Sequence, residues 1–461
     1  MTQAPKQRAA VILAAGKGTR MKSALPKVMH AVGGRPMIDW SIALARNVGC
    51  ARIVAVVHPS QDVLIAHLEA HHPDVGIAFQ DPPQGTGHAV RCAEDALKGF
   101  GGELAILYGD SPLVPATAIE DLFAGVAGGA ALGVLGFEAS DPGLYGRLVT
   151  NAAGDLEAIV EAREATAEQL RVRICNSGVM AGPARDIFRL LQKITNANAK
   201  GEYYLTDLVG LARAEGGRCT LVIAVEEDLI GCDSKSDLAE AEGIFQATSR
   251  KSLMESGVTL VAPETVFFAH DTQIAADVVV EPHVVFGRGV SVAAGARIRA
   301  FSHLEGAVVG EDCEVGPFAR LRPGTVLGRG AKVGNFVETK NTAMGEGAKA
   351  NHLAYLGDGT IGAGANIGAG TIFCNYDGYA KHQTTIGDGA FIGSNSALVA
   401  PVSIGEGAYV GSGSIITKDV PEDALAVARA HQLTREGWAK TFRTRKSAEK
   451  ASRGKPRNEK G

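Results

Sequence analysis

Three stretches of this 461-residue sequence carry side chains suited to group-transfer chemistry. The first is Leu13-Ala14-Ala15-Gly16-Lys17-Gly18-Thr19-Arg20-Met21, with Pro26-Lys27 following, and it continues an apolar run, AAVIL. Small residues after a strand let backbone N–H groups approach phosphate oxygens, and Lys17, Arg20 and Lys27 add positive charge. The spacing is neither G-x-x-x-x-G-K-[ST] nor G-x-G-x-x-G, which excludes a Walker A loop and the dinucleotide fingerprint. The second stretch is Tyr108-Gly109-Asp110, closing the run ELAILYGD. An Asp after a strand is more often a turn or cap residue. Beside a phosphate loop, its hard oxygens suit Mg2+, which takes one or two carboxylates plus substrate phosphates. The third is His352 in NHLAYLGD. A lone histidine is usually structural or exposed, whereas imidazole, with an ordinary pKa of about 6.5, also serves as a general base.

The elements that must position these residues fall into two kinds. Over residues 1–235, strand-like runs (AAVILAAG, ARIVAVVH, VGIAFQ, ELAILYGD, ALGVLGF) alternate with helical segments such as MIDWSIALARNV and GHAVRCAEDAL. That rhythm predicts an α/β domain with a mainly parallel sheet and ligands at the carboxyl ends of its strands. From Val309 an aliphatic residue followed by glycine recurs every six positions: Val309-Gly310, Val315-Gly316, Leu321, Leu327-Gly328 and Val333-Gly334. The register slips across 340–360, resumes at Ile361-Gly362 and Ile367-Gly368, and slips again near 373–385. It then returns at Ile386-Gly387, Ile392-Gly393, Leu398, Ile404-Gly405, Val410-Gly411 and Ile416. A period of six fits neither a helix nor an alternating strand. It fits a solenoid in which each hexapeptide is one short strand and a tight turn, with the aliphatic side chains stacked inside. The two slips mark where loops leave the coils, and loops on a rigid scaffold are where function concentrates. Between the halves, 236–256 reads as a linking amphipathic helix with Leu238, Ala241, Ile244 and Phe245 near one face. The tail 435–461, with ten Lys/Arg against three Asp/Glu, reads as basic and disordered.

Composition narrows the class. Glycine is 58 of 461 residues, and 26 of these fall within 281–420, which separates two architectures within one chain. A formal net charge of −4 gives no electrostatic case for nucleic-acid binding. No apolar run approaches the ~20 residues of a membrane helix, and MTQAPKQRAAVILAAG lacks a signal-peptide layout, so no membrane insertion is expected. The seven cysteines are scattered, odd in number and without a C-x-x-C pair. This argues against a disulfide scaffold or zinc ribbon and for a reducing, cytoplasmic setting.

The string L-A-A-G-x-G-T-R-M…P-K resembles the signature loop of sugar-nucleotide pyrophosphorylases. The hexapeptide pattern resembles the left-handed parallel β-helix of hexapeptide-repeat acyltransferases, over about residues 257–425. Together with QGTGHA, YGD, YGR, IVEARE, GEYYLTD, FARLRPG, VGNFVE, NHLAYLGD, NIGAGTIFCNYDG and Gly437-Trp438, the chain resembles a bacterial family. Its members are bifunctional N-acetylglucosamine-1-phosphate uridylyltransferases and glucosamine-1-phosphate N-acetyltransferases. The resemblance implies an α/β, Rossmann-like nucleotidyltransferase domain over 1–235, a linker helix over 236–256 and a left-handed β-helix acetyltransferase domain over 257–434. It also implies UTP and acetyl-CoA as substrates, Mg2+ as cofactor, a homotrimer, and a place in UDP-N-acetylglucosamine synthesis that feeds peptidoglycan and lipopolysaccharide. A pyrophosphorylase whose β-helix only oligomerises is the alternative; an assembly-only solenoid has no reason to carry His352, Asn375 and Tyr376.

Matched motif by motif, the resemblance assigns Leu13, Ala14, Ala15, Gly16, Gln80, Gly85 and Thr86 to the uridine nucleotide and Lys27 to its phosphates. Tyr108, Gly109 and Asp110 line the site, and Gly146, Glu161 and Asn176 hold the sugar. Arg20 and Lys27 neutralise charge as UTP is attacked, while Asp110 and Asp233 hold Mg2+. Asp233 stands in Ile230-Gly231-Cys232-Asp233, where the family usually has Asn. In the second site His352 is the implied acetyl-transfer base. Arg322, Lys340, Tyr355 and Asn366 take the sugar phosphate. Ala369, Asn375, Tyr376, Ser394, Ser412 and Arg429 lie along acetyl-CoA, with the Ala369 backbone at the thioester oxyanion. Ser412 replaces an alanine common in the family.

Overall fold

A computed structural model describes residues 7–198 and 200–453. Ala9, Ala10, Val11 and Ile12 have no solvent exposure at all, as an unbroken apolar run requires in a strand covered on both faces. This strand, β1 (Arg8–Leu13), is followed by β2 (Cys50–Val57), β3 (Gly76–Phe79), β4 (Glu103–Tyr108) and β5 (Leu132–Glu138). Then come β6 (Arg147–Thr150), β7 (Leu156–Val160), β8 (Ile174–Pro183) and β9 (Cys219–Ala224). The sheet order is β9-β5-β8-β4-β1-β2-β3, with the β6–β7 hairpin beside β8. Only β8 and the hairpin run antiparallel to their neighbours. Alternate residues of β1 feed two separate cores. Ala9 and Val11 pack with α3 (Thr86–Cys92), α5 (Ala184–Leu191) and α6 (Asp207–Ala214). Ala10 and Ile12 pack with α1 (Met37–Asn47), α2 (Asp62–His71) and α4 (Ala116–Ala127). Loops at the carboxyl ends of β1 and β4 are thereby held by helices on both faces.

The linking helix α7 spans Lys235–Glu255. Ser234 starts it with a reciprocal capping box, its hydroxyl accepting from Asp237 N–H while the Asp237 carboxylate accepts from Ser234 N–H. One side of α7 packs on the α/β domain: Phe245 meets Trp40 edge to face at 5.6 Å, and Glu242 accepts from Gly33 N–H at 2.7 Å. The other side grips the first coils. The buried Gln246 amide donates to Phe268 O (2.7 Å) and accepts from Phe268 N–H (2.9 Å), and Arg250 donates to Val266 O. The chain divides into two compact units, one through Ala307 and one from Val308. This clamp explains why the first coils belong with the α/β unit.

Both units contain parallel β-helix coils. In the first, Leu260, Val280 and Ile298 stack in register, as do Phe286 and Leu304. In the second, one inward column runs Val315, Val333, Ala350, Ile367, Ile392, Val410, Ala426. A second column runs Met344, Ile361, Ile386, Ile404. The coil from Val315 to Val333 takes 18 residues, but those ending at Ala350 and Ile367 take 17 each and that from Ile367 to Ile392 takes 25. The short coils carry His352, and the long one carries Asn375 and Tyr376.

One sequence expectation needs correction. The segment read as a disordered tail is a helix, α8, over Trp438–Arg453; 454–461 lies outside the described residues. Ala, Lys, Arg and Glu are strong helix formers, and Arg445 and Lys446 each pair with Glu449 one turn on. The expectation relied on the missing apolar stripe, which a helix of this composition does not need. Among the described residues no helix is long and apolar enough to cross a membrane.

Candidate functional site

At the carboxyl ends of β1 and β4 lies a cavity of about 720 Å3. Its wall includes Leu13, Ala14, Ala15, Gly16, Lys27, Gln80, Gly85, Thr86, Tyr108, Asp110, Glu161 and Asn176. Ala14 N–H donates to Val56 O, so the loop leaves β1 directly at the sheet edge. A Cβ built on Gly16 would meet nothing within 4 Å; the protein's own packing does not demand glycine there, and the space in front of it is open to a ligand. Gly85 differs: its φ is +102°, and a Cβ would meet Tyr203 O at 2.6 Å. Gln80 is buried and donates to Gly85 O at 2.9 Å, and Thr86 Oγ1 accepts from Leu205 N–H. The loop 80–86 is thus pinned against 203–205.

Gly109, Gly146, Arg20 and Asp233 do not line this cavity. Gly109 sits behind it, where a Cβ would press on Ile38, Leu13 O and Val28. Gly146 supports Asn176 by accepting from its N–H at 2.9 Å. Arg20 and Asp233 pair with each other at 2.7 Å beside Lys27. Lys27 Nζ lies between two carboxylates, in contact with Asp110 Oδ2 and 2.9 Å from Asp233 Oδ1. Burial pulls the Lys27 pKa down, but the charges and hydrogen bonds of Asp110 and Asp233 outweigh it and leave it above its ordinary value. Asp233 is fixed by its own N–H, which donates to Asp237 of the α7 cap, and by Cys232 N–H, which donates to Asp110 O. Burial pushes the neighbouring Cys232 thiol up to about 12, so it is not a nucleophile. Burial likewise raises the Tyr108 hydroxyl, reinforced by the Asp110 charge.

The Asp110–Asp233 pair fits a divalent cation. Two carboxylates from different segments already bracket one positive charge, and both offer the hard oxygens Mg2+ prefers. Sequence reasoning missed the far wall, where Arg163, Glu164, Lys200, Glu202, Tyr204 and Thr206 also face the cavity. The strings IVEARE and GEYYLTD carried that signal for all of these but Lys200.

The second cluster lies in the unit beginning at Val308. Parallel pairing sets Asn335 beside His352, Glu338 beside Tyr355 and Lys340 beside Gly357. His352 is exposed, and its Nδ1 stands 2.7 Å from Asn335 Oδ1. An amide oxygen there requires N–H on Nδ1, which leaves Nε2 as the basic nitrogen. Arg322 pairs with Glu338 at 2.9 Å. Asp358 collects Lys340 (3.5 Å), Asn341 (2.9 Å) and Asn375 (2.5 Å). Asn375, which the resemblance assigns to acetyl-CoA, is buried against Asp358, which also holds Lys340, a residue that the resemblance assigns to the sugar phosphate. A Cβ on Gly357 would collide with both the Tyr355 hydroxyl and the Asn375 amide, so this close approach needs glycine. Sequence reasoning missed Asn335, Asp358 and Lys381. The Lys381 pKa is lowered by the adjoining Lys340 side chain and its charge, with Arg322 also contributing. Three cations, Arg322, Lys340 and Lys381, thus gather with two carboxylates, Glu338 and Asp358, leaving one net positive charge in the cluster.

The remaining assigned residues descend along later coils. Asn366 pairs with Lys349 and Phe391 on neighbouring strands. Ala369 O accepts from Asn395 N–H, Ser394 O from Gly413 N–H, and Ser412 O from the Arg429 guanidinium at 2.6 Å. Tyr376 is exposed on the long coil, its hydroxyl donating to Gly378 O.

Comparisons with known proteins match this two-part geometry. Residues 10–172 match the MobA-like NTP transferase domain, and residues 306–341 and 383–418 match the bacterial transferase hexapeptide family of six repeats. The chain is 77% identical over 461 residues to the bifunctional protein GlmU of Hyphomonas neptunium, covering 100% of both. It is 53% identical to the bifunctional protein GlmU of Sphingopyxis alaskensis, over 96% of this chain and 98% of that one. To that of Azorhizobium caulinodans it is 51% identical, over 97% and 98%.

Proposed function

Because the chain belongs to the bifunctional GlmU family, we propose that its two clusters divide two reactions between them. The protein is both a uridylyltransferase and an acetyltransferase, acting in UDP-N-acetylglucosamine synthesis. Acetyl transfer from acetyl-CoA to glucosamine-1-phosphate belongs to residues 257–434. Transfer of UMP from UTP to the resulting N-acetylglucosamine-1-phosphate, with release of pyrophosphate, belongs to residues 1–235, and 236–256 join the two. The observation that supports this division is that the phosphate loop with its paired carboxylates and the Asn335–His352 pair lie in different units.

In uridylyl transfer a sugar-phosphate oxygen attacks the α-phosphorus and pyrophosphate leaves, so positioning and charge neutralisation dominate. Asp110 and Asp233 hold Mg2+, which supplies part of that neutralisation when bound. Lys27 and Arg20 exchange their carboxylate partners for phosphate oxygens, and Gln80, Gly85 and Thr86 present a rigid edge to the base. In acetyl transfer His352 Nε2 takes the proton as the amine nitrogen bonds to the thioester carbon. Arg322, Lys340 and Lys381 hold the sugar phosphate, Tyr355 and Asn366 border it, and the CoA thiolate leaves along Ser394, Ser412 and Arg429. The Ala369 backbone faces the developing oxyanion. The hexapeptide repeats support an oligomer, which we read as a homotrimer, and seven free cysteines support a cytoplasmic setting.

Product analysis of the full chain tests this reading. With glucosamine-1-phosphate, acetyl-CoA, UTP and Mg2+, UDP-N-acetylglucosamine should form. Omitting acetyl-CoA should abolish it unless N-acetylglucosamine-1-phosphate is supplied. Formation of that product from glucosamine-1-phosphate without acetyl-CoA would overturn the assignment.

A further inference from the structure

Away from both clusters, metal-ligating side chains converge at one further place among the described residues. Asp39 stands in the first turn of α1, His67 in α2, and His72 just past its end. One ligand atom from each lies within 4.8 Å of the other two. His67 Nε2 is 2.7 Å and His72 Nε2 3.0 Å from the same oxygen, Asp39 Oδ1. The side chains are only 14%, 9% and 14% exposed for His67, His72 and Asp39. The surroundings hold them in place. The His71 ring stacks on His67 at 4.5 Å, and Arg46 contacts His72 Nδ1 at 3.2 Å while its Nε and Nη2 hold Asp74.

Two imidazole nitrogens and one carboxylate oxygen are a donor set that suits zinc-class ions rather than Mg2+ or Ca2+. Ligands about 2.0–2.1 Å from a tetrahedral ion stand roughly 3.3 Å from one another. Two sides of that triangle, 2.7 and 3.0 Å, are already close to this length, the third is within 4.8 Å, and a water molecule would complete the shell. We propose that Asp39, His67 and His72 form a binding site for a zinc-class divalent ion that ties α1 to α2. Binding moves the hydrogen on each ring from Nε2 to Nδ1, with no net loss of a proton from either ring. For His72 this costs the contact with Arg46 Nη1, whose two other nitrogens keep Asp74. The tie bears on the uridylyl site, because Ser41 of α1 donates to Tyr108 O at 2.9 Å and Ile38 packs behind Gly109.

Untagged full-length protein, stripped by chelator and kept in excess Mg2+ so that Asp110 and Asp233 are not available, would be titrated with Co2+. A single ion per chain should bind with the strong visible absorption of a tetrahedral site, and Zn2+ should displace it. His67→Gln and His72→Gln should each weaken binding by about 100-fold or more, and His303→Gln should leave it unchanged. Asp39→Asn keeps the side-chain shape and should fold, so loss of the absorption in that variant tests the site even if a histidine variant is unstable. Absence of tetrahedral absorption in the parent protein, or its survival in Asp39→Asn and both histidine variants, would overturn the proposal.

Discussion

The proposed base His352 is oriented by Asn335, its neighbour on the preceding coil. Asn335 Oδ1, 2.7 Å from Nδ1, fixes the tautomer that leaves Nε2 free to take a proton. His352→Ala should lower acetyl transfer by on the order of 10²–10⁴. The loss should fall mainly on kcat because the proposed sugar-phosphate residues Arg322, Lys340 and Lys381 are left in place. Uridylyl transfer should not change, and circular dichroism should show an intact fold, since His352 is exposed and outside the stacked columns. Asn335→Ala removes one hydrogen bond and no base, so its effect should be smaller, about 3–10-fold. A loss equal to that of His352→Ala would point to Asn335 acting on substrate directly. At the other site the two carboxylates differ. Asp110 lies on the cavity wall and Asp233 beside it, each in contact with Lys27. Asp110→Asn should cripple uridylyl transfer while sparing acetylation. Asp233→Asn keeps an oxygen ligand but gives up the charge that pairs with Lys27 and Arg20. It should stay active with a higher Mg2+ requirement, read from a magnesium titration of the half-reaction. An unchanged Mg2+ dependence in both variants would remove this pair from the metal site.

Among the elements, α7 joins the first coils through Gln246 and Arg250, of which Gln246 is the buried one. Gln246 is 2% exposed and satisfies both backbone groups of Phe268. Gln246→Leu should destabilise by about 2–4 kcal/mol, because it leaves a buried N–H and a buried C=O without partners. Calorimetric unfolding would measure this, and a change below 1 kcal/mol would mean that water replaces the amide. This contact was invisible in the sequence, where 236–256 reads only as an amphipathic helix with an apolar face at Leu238, Ala241, Ile244 and Phe245. The α/β strands and the columns through Val315 and Ile361 were legible because burial on both faces, or at every sixth position, leaves a periodic aliphatic mark; Met344, in the same column as Ile361, fell within the slip. The His352 segment was legible only as a slip in that period. Its partner Asn335 comes from the preceding coil, and Asp358, on the same coil as His352, is tied to Lys340 and Asn375 of other coils; polar contacts between coils leave no period. The α8 helix was missed for the opposite reason: it has propensity and ion pairs but no buried stripe.

At the scale of the whole molecule, the division of labour predicts that the uridylyl half works alone, and α7 decides where it can be cut. Ala241 is fully buried against Met21, Val32, Met37 and Cys232, with Leu238 and Phe245 packed on the same cluster. Met21 closes the phosphate loop, and Asp237 fixes the backbone of Asp233. A fragment ending at Lys235 loses that cover and that cap. Exposing one large side chain's worth of apolar contact costs about 1.5–3 kcal/mol, and Asp233 loses its hold. A fragment ending at Ser256 keeps both, and the face of α7 that it strips of coils presents Gln246 and Arg250, which water can satisfy. Residues 1–256 should therefore convert N-acetylglucosamine-1-phosphate and UTP to UDP-N-acetylglucosamine at close to the full-length rate, whereas 1–235 should show a lower Tm and a higher Mg2+ requirement. Neither should transfer acetyl groups, because Asn335, His352 and the three cations are absent. Acetyl transfer by either fragment would overturn the assignment of the two reactions, and identical Tm and Mg2+ dependence in the two would show that α7 is only a connector.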